Sequence, residues 1–270
     1  MKLMHAFISA LVGGVVLALT VNAQAQTGDK TGYATVVRIQ GQARYSLGDN
    51  VWHPLVVGKT LRPGSLIQTS PDSKVDVVLG DRITEHLDPE PGKVQLAADN
   101  NVRGIVSYQA VAQQNVIRLQ GDTVLAVDQL MISDTGADTI SNTELDLRQG
   151  TIWGTVKKLS ASSRFVVKTP NGMAGIRGTT FVISANGDIT VVSGSMIAVH
   201  TDAHGQTTTV VLGPGDQYNP VTGQTTHLTP QQYSYAIQTS IFMVTLQRGI
   251  INFANDSTLI CVSPTRGRGH

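Results

Sequence analysis

The stretch GIRGTTF, residues 175–181, is the most distinctive in the sequence. Gly175 and Gly178 permit backbone conformations that other residues rarely adopt, and the Thr-Thr-Phe that follows favours the start of a strand. Arg177 lies between the glycines and carries five N–H donors. It can act as a structural clasp for several loop carbonyls, or it can face outward and hold an anionic or carbohydrate ligand. The candidate site, binding or structural, consists of Gly175, Ile176, Arg177, Gly178 and Thr179.

On both sides of this stretch the chain contains short runs rich in Val, Ile and Thr that end at glycine-bearing turns. After residue 116 such runs follow one another about every ten residues, which is typical of consecutive strands. This spacing suits a sandwich, a roll or a solenoid. We therefore predict an all-β fold of many short strands, arranged as a β-roll, a β-solenoid-like coil or a sandwich.

Two early runs, at 35–40 and 42–47, are separated by Gly41 and followed by the turn signal Gly48-Asp49-Asn50. We interpret these two runs as a hairpin. A later run, VIRLQG at 116–121, repeats the residue types of VVRIQG at 36–41 at nearly every place. The repeat is too short to establish a duplication.

Near the end of the chain the pattern changes to that of a helix over residues 229–249. Thr229 is a suitable N-cap, Pro230 suits the first helical position, Gln232 can complete a capping box, and Gly249 is a plausible stop. We predict a helix that caps one end of the β-core, the alternative being a helix that binds a partner. Its predicted apolar face, from three- and four-residue steps, comprises Tyr233, Ala236, Ile237, Ile241 and Val244.

Residues 1–25 have the features of a cleavable secretory signal. A basic Lys2 precedes an apolar stretch at 6–21, and the segment ends in Ala23-Gln24-Ala25, which matches the cleavage pattern. The apolar stretch is shorter than the ~20 residues that a membrane-spanning helix needs, so cleavage is favoured over a retained anchor. We expect a periplasmic or extracellular protein with no membrane span after cleavage.

The charge of the chain gives no reason to expect nucleic acid as a partner. The sequence holds 20 Lys and Arg against 19 Asp and Glu, and Lys2 is the only charged residue of the predicted signal. Cleavage would leave the two signs equal in number, without the basic excess that nucleic-acid binding requires. Three further boundaries are predicted: a β domain at 34–221, an irregular insertion within it at 82–111, and a disordered tail at 263–270.

An ordered series of motifs carries a family resemblance. The motifs are LRQG at 147–150, FVVKTP at 165–170, GIRGTTF at 175–181 and VLGPGDQ at 211–217, preceded by a glycine-bearing approach at 58–69. In this order they resemble the FecR domain, which shows a leucine-rich strand ending in glycine, a strand ending in Thr-Pro, and a glycine-arginine-glycine-threonine core. The resemblance extends over about 34–221.

The best-known members of that family are sensors that span the inner membrane and control a sigma factor through a cytoplasmic N-terminal region. Only a few residues precede the apolar stretch at 6–21, so we expect this chain to lack the cytoplasmic anti-sigma region. The resemblance then implies a non-catalytic exported domain that binds protein as an envelope scaffold or signal-sensing component. The alternative is a structural or polysaccharide-binding module of the envelope, which would present a row of exposed aromatics. The expected partner is an envelope protein or polysaccharide.

Known catalytic and metal-binding patterns are not found in the sequence, and we predict no enzyme activity, no cofactor and no metal site. His200 and His204 are the closest pair of histidines, but the residues between them look like a hairpin turn and no third ligand is indicated. Two pairs of nearby carboxylates, which we interpret as parts of solvated strand faces, are Asp72 with Asp76 and Glu144 with Asp146.

Overall fold

A computed structural model of the protein describes residues 28–81, 115–136 and 138–248. These residues form many short strands followed by one helix, so the predicted all-β fold with a C-terminal helix is confirmed. The predicted signal, the predicted insertion at 82–111 and the predicted tail at 263–270 lie outside the described residues. Within the described ranges no helix has the length and apolar character needed to cross a membrane.

The strands are short because glycine-bearing turns interrupt the β-forming runs every few residues. In chain order the elements are β1 (Asp29–Thr31), β2 (Tyr33–Gln40), β3 (Ala43–Ser46), β4 (His53–Pro54), β5 (Thr60–Leu61), β6 (Ser65–Thr69), β7 (Lys74–Gly80), β8 (Asn115–Leu119), β9 (Val124–Asp134), β10 (Thr139–Gln149), β11 (Thr151–Thr155), β12 (Arg164–Thr169), β13 (Gly172–Ser184), β14 (Ile189–Thr201), β15 (Thr207–Leu212), β16 (Asp216–Asn219), β17 (Gln224–His227) and α1 (Pro230–Arg248).

Backbone pairing arranges these strands in two rows, which we call row A and row B. Row A runs β5, β2, β7, β8, β11, then the second half of β13, the first half of β14, β16 and β17. Row B runs β4, β3, β6, β9, β10, β12, then the first half of β13, the second half of β14, and β15. Strand β1 pairs with the second half of β9. The two long strands β13 and β14 therefore belong to both rows.

Both rows point alternate side chains into one apolar core. Because side chains alternate across a strand, each row contributes one of its two faces to this core. Burying such residues contributes about 1.5–3 kcal/mol each. The result is a rolled, sandwich-like sheet, and its largest fully buried apolar residues include Ile67, Ile117, Leu147, Ile152, Phe165 and Phe181.

The chain moves between the rows at sharp corners. Strand β2 of row A leads into β3 of row B at Gly41, and β10 of row B leads into β11 of row A at Gly150, both glycines having positive φ. The hairpin predicted for the first two runs is therefore wrong. Strand β2 pairs with β5 and β7, whereas β3 pairs with β4 and β6. The turn after Gly41 directs the second run into the other row instead of back along the first.

Buried hydroxyl groups satisfy backbone groups that the corners remove from strand pairing. Ser73 Oγ accepts the N–H of Gln42 at 3.0 Å, and Thr69 Oγ1 accepts the N–H of Thr123 at 2.9 Å. Thr123 Oγ1 in turn accepts the N–H of Thr151 at 3.1 Å. These three hydroxyl residues are almost completely buried. They link successive corners along one side of the fold, where unpaired N–H groups would be costly.

The bend that carries β13 and β14 from one row to the other lies at Gly178 and Gly194. The register changes there from Arg177 opposite Ser195 to Thr180 opposite Ser193, so one strand has an extra residue. Both glycines have positive φ, 67° and 80°. A Cβ atom on Gly194 would lie 2.2 Å from the carbonyl oxygen of Gly178. The two backbones can approach this closely only because Gly194 has no side chain.

We expect Gly194→Ala to lower the free energy of unfolding by about 3 kcal/mol or more, because it adds a backbone clash to the cost of a positive φ. The matched control is Gly58→Ala, at a positive φ of 83° where nothing lies within 4 Å of the added atom. Its loss should be about 1–2 kcal/mol, from backbone strain alone. Urea denaturation measures both, and equal losses would show that the close approach at Gly194 does not matter.

The C-terminal helix begins with the predicted capping box. The Thr229 N–H donates to Gln232 Oε1 at 2.9 Å, and the Gln232 N–H donates to Thr229 Oγ1 at 3.3 Å. The predicted apolar face is wrong in part, because Ile237 and Ile241 are exposed, the latter by 55%. The sequence of α1 is apolar on several sides, so its periodicity does not single out one face. The buried residues are Ala236, Ser240, Met243, Leu246 and Gln247.

The helix packs on the outer face of row A. Met243 and Leu246 form a second apolar cluster with Val37, Val78 and Val116, which belong to β2, β7 and β8. Because the opposite faces of these strands contribute to the main core, this part of row A is buried on both sides. The near-continuous apolar runs of these strands follow from that double burial.

An ion pair lies beneath the helix. Asp76, with 2% of its side chain exposed, accepts hydrogen bonds from Arg118 Nε at 2.6 Å and Nη2 at 3.0 Å. Arg38 lies opposite Asp76 on the other neighbouring strand. The guanidiniums of Arg38 and Arg118 lie 4.7 Å and 4.9 Å from the ring centre of Phe242. The interpretation of Asp76 as part of a solvated face is therefore wrong, since α1 covers this part of β7.

Removing one partner of this ion pair should lower the stability of the protein. We expect Asp76→Ala to lower the free energy of unfolding by about 3–5 kcal/mol, because it leaves the Arg118 charge buried and unpaired. The double variant Asp76→Ala with Arg118→Leu should lose less than the single variant. The control is Asp146→Ala, which breaks the more exposed pair with Arg148 and should cost less than about 1 kcal/mol. A double variant less stable than Asp76→Ala would contradict this account.

Candidate binding surface

Strand β13 places the predicted site residues alternately inside and outside the fold. Ala174 and Ile176 point into the main core, whereas Met173, Gly175 and Arg177 lie on the outer face of row B. The strand period of two residues gives this alternation. Of the predicted site, Gly175 and Arg177 therefore share an outer face, and Ile176 is a core residue.

Arg177 is exposed and lies opposite Ser195 in the register of β13 and β14. Within the described ranges its guanidinium donates no hydrogen bond. The interpretation of Arg177 as a clasp for loop carbonyls therefore gains no support from the described residues. The outward-facing arrangement, in which this side chain meets a ligand or a partner, stays a prediction.

The structural role within the motif falls to Gly178 and Thr179. Thr179 is buried, and its Oγ1 donates to the carbonyl of Ser195 at 2.6 Å. The carbonyl of Thr179 accepts the N–H of Val156 at 2.9 Å. A Cβ atom on Gly178 would lie 3.3 Å from Cα of Lys158, so the loop that follows β11 packs closely against the bend. These contacts hold β13 at the point where Arg177 is presented.

Apolar side chains continue this outer face across β14 and β15. Gly175 is opposite Ile197, which is in turn opposite Val211, so the three form one line across the strands. Val211 is 73% exposed, and Ile197 and Met173 are about half exposed. Apolar side chains exposed next to one another are typical of surfaces that bind a partner. We call Met173, Gly175, Arg177, Ile197 and Val211 the β15 face.

The edge of row B borders this face. Strand β15 pairs with β14 on one side, and no strand within the described ranges pairs with its other side. Its sequence, TTTVVL, contains β-branched residues and no charge. Unpaired N–H and C=O groups on such a strand can pair with an extended segment of another chain. The β15 face and this free edge together form the candidate binding surface.

Charged residues occupy the outer face of row B on neighbouring strands. Glu144 contacts Lys168, and Asp146 contacts Arg148 at 2.8 Å. The hydrogen bond to Glu144 raises the pKa of Lys168. Both carboxylates of this pair thus lie on a strand face, as interpreted from the sequence. Each is also bound to a cation, which the sequence did not predict.

The two closest histidines lie at the turn between β14 and β15. Asp202 forms that turn by accepting the N–H groups of His204 and Gln206, each at 2.8 Å, so the predicted hairpin turn is confirmed. His200 precedes it and lies edge-on to Tyr218. Within the described ranges, no three His, Cys, Asp or Glu side chains are grouped closely enough to hold a metal ion.

The motif VLGPGDQ forms the turn that follows β15. Asp216 Oδ2 accepts the N–H of Gly213 at 2.7 Å, and its Oδ1 lies 3.1 Å from Nδ1 of His227. The hydrogen bond from Gly213 holds the pKa of Asp216 below its ordinary value, and His227 adds to this effect. Asp216 therefore fixes the turn by which the chain leaves the edge strand and returns to row A.

Sequence reasoning missed a groove at the opposite end of row B. It has a volume of about 630 Å³ and contains Arg44, Trp52 and Gln68 among its lining residues. The available signal was Trp52 itself, an aromatic residue two positions after the turn at Gly48-Asp49-Asn50. Without the register of strand pairing, the sequence does not show that β3 and β6 lie beside Trp52.

The fold and the candidate surface define an all-β domain with an exposed apolar face beside a sheet edge that no strand of the described ranges pairs with. Residues 107–212 match the model of a family described as FecR protein, and the resemblance is confirmed over that stretch. This family is regulatory and non-enzymatic in kind. The matched stretch includes the bend at Gly178 and the strands of the β15 face. The earlier motif at 58–69 lies outside it.

Two crystal structures of a candidate anti-sigma factor from Parabacteroides distasonis are similar to this chain. One is 16% identical with a TM-score of 0.35, and the other is 18% identical with a TM-score of 0.33. In each case the match covers 48% of this chain and 60% of the other. This chain therefore matches less than two thirds of those proteins. A comparison with curated proteins finds no match.

Acidification should remove the stabilisation that Asp216 provides. A folded-state pKa below the ordinary value of 3.8 means that this stabilisation is fully present above that value and is lost as the pH falls through the lower pKa. We expect Asp216→Asn to be less stable than the natural protein at neutral pH. The difference should shrink at low pH, as measured by urea denaturation from about pH 6 to about pH 2.5. A difference that stays constant over this range would contradict the assignment.

Proposed function

We propose that this protein is a non-catalytic, exported FecR-like domain that binds another protein as an envelope scaffold or signal-sensing component. The observation that carries the proposal is the β15 face, where Ile197 and Val211 are exposed beside a strand edge that no described strand pairs with. Exposed apolar residues next to a free edge are suited to a protein partner rather than to a small substrate.

The geometry indicates the chemistry of the partner. An extended segment can add to β15 through main-chain hydrogen bonds, which supply affinity without depending on sequence. Its apolar side chains would lie against Ile197 and Val211. Arg177 and Lys158, which adjoin the bend at Gly178, would favour an acidic residue at one end of the segment.

The predicted signal and the family match support an exported regulatory role. A segment with a basic start, an apolar stretch and a small-residue ending at residue 25 is typical of export. The best-known relatives in the FecR family receive signals through their extracytoplasmic part, and residues 107–212 match that family. A binding surface built on the matched strands agrees with such a role.

The alternative, a structural or polysaccharide-binding module, predicted a row of exposed aromatics. Among the described residues the large exposed aromatics are Trp52, beside the groove, and Tyr235, on α1. They lie on different parts of the fold and form no row. Protein binding at the β15 face is therefore the function that the described geometry supports best.

A charge on the free edge should block the partner. With a photo-crosslinking residue at Thr209 in the native host, we expect one main crosslinked protein, identified by mass spectrometry. Val211→Lys should abolish this crosslink, because a lysine there opposes strand addition and apolar contact. The thermal midpoint should change little, since Val211 is 73% exposed. The matched control is Val221→Lys, at a 90% exposed valine in the turn between β16 and β17, outside the edge strand itself.

The control variant should keep the crosslink at its natural intensity. A crosslink that survives Val211→Lys, or crosslinks formed solely with wall polymer, would contradict protein binding at this edge. Fractionation of the same cells tests export separately. A mature N-terminus at Gln26 in the periplasmic or extracellular fraction is the expected result, and an intact Met1 in the cytoplasm would contradict it.

A further inference from the structure

The groove at the β4 end of row B contains a preorganised set of polar and aromatic side chains. The Arg44 guanidinium lies 4.4 Å from the ring centre of Trp52, and its Nε donates to Gln68 Oε1 at 2.8 Å. These two contacts fix the guanidinium and the indole relative to each other. The remaining Arg44 nitrogens make no hydrogen bond within the described ranges. Trp52 keeps 36% of its surface exposed.

The floor of the groove is rigid because it is one of the corners between the rows. The Ser70 N–H donates to the carbonyl of Gln42 at 2.9 Å, and the Asp122 N–H donates to the carbonyl of Ser70 at 3.3 Å. Leu55 and Thr69 are buried beneath these groups. A ligand would therefore meet a surface whose backbone is already fixed, and binding would need little ordering of the protein.

The walls are poorly suited to an extended peptide. Strand β4 has two residues, His53 and Pro54, and the corner opposite contains Pro71. Proline lacks the N–H that strand addition requires, so a peptide would find an incomplete main-chain ladder on both sides. Side-chain hydrogen-bonding groups are plentiful instead. Those that line the groove belong to Gln42, Arg44, His53, Gln68, Ser70 and Asp122.

We propose that this groove binds a saccharide. A sugar ring lies against the exposed part of the Trp52 indole, and its hydroxyl groups bond to Arg44, Gln68 and Asp122. An aromatic face with several donors and acceptors beside it matches a sugar, which has apolar C–H faces and a rim of hydroxyls. The groove and the β15 face lie at opposite ends of row B. The two proposed sites therefore share no residue.

The test titrates the full mature protein with four oligosaccharides and one peptide, and it follows the indole N–H resonance of Trp52 by NMR. The probes are tetra-N-acetylchitotetraose, cellotetraose, maltotetraose, tetragalacturonate and acetylated tetra-alanine amide. Trp52→Phe assigns the resonance, since Trp153 is the other tryptophan. At least one of the four saccharides should shift this resonance with saturation, and the peptide should not.

Calorimetry with that saccharide then separates the contributions of the side chains. Trp52→Ala should weaken binding by about tenfold or more, and Trp52→Phe should retain most of the affinity. Gln68→Ala should weaken binding in the same direction. The control Tyr235→Ala removes an exposed aromatic on α1 and should leave the affinity unchanged. Unchanged thermal midpoints exclude a loss through unfolding.

Three outcomes would overturn the proposal. The first is that none of the four saccharides shifts the Trp52 resonance. The second is saccharide binding that Trp52→Ala and Gln68→Ala leave unchanged. The third is saturable binding of the peptide at Trp52, which would make the groove a peptide site. None of these results bears on the crosslink at β15, so the two proposals fail separately.

Discussion

The fold depends on one constraint: two rows of strands share a single core, and the chain must turn sharply each time it moves between them. At each turn, backbone N–H and C=O groups leave the strand ladder and need other partners. The buried hydroxyls of Thr69, Ser73 and Thr123 supply these partners from one corner to the next. The corners are therefore stabilised as a connected series, and the register of each strand is tied to that of its neighbours.

The bend at Gly178 and Gly194 likewise carries the chain from one row to the other, but within two long strands. There the backbones approach so closely that a side chain has no room, and Thr179 ties the bend to the carbonyl of Ser195. The glycines and the threonine of the distinctive motif thus have a mainly structural role. Its arginine is different, because it is presented outward at the end of an exposed apolar face. The structural role and the proposed binding role are therefore divided between adjacent residues.

The strand content, the capping box at Thr229 and the turn at Asp202 could be predicted because each follows from local chemistry. The hairpin at Gly41 and the buried face of α1 could not, because both depend on where distant strands lie. The repeat of VVRIQG and VIRLQG acquires a physical meaning in the structure. The two runs flank β7 and place Arg38 and Arg118 on either side of Asp76.

The candidate surface could be predicted in part. The motif predicted Arg177 as a site residue, but nothing in the sequence distinguished Ile197 and Val211 from ordinary strand residues. Which face of a strand meets the core depends on its register, and a shift by one residue exchanges the two faces. The groove at Trp52 could not be predicted from the sequence for a similar reason. Arg44, Gln68 and Asp122 come together only through the pairing of β3, β6 and β9.

The uncharged edge of β15 also has a consequence for how copies of this protein would meet one another. Charged residues commonly protect sheet edges from pairing with other copies of the same chain, and β15 has none. An edge that accepts a partner's segment accepts the same edge of a second copy as well, and that competing reaction grows with concentration. Under the proposed binding mode, an excess of this protein over its partner would therefore favour self-association.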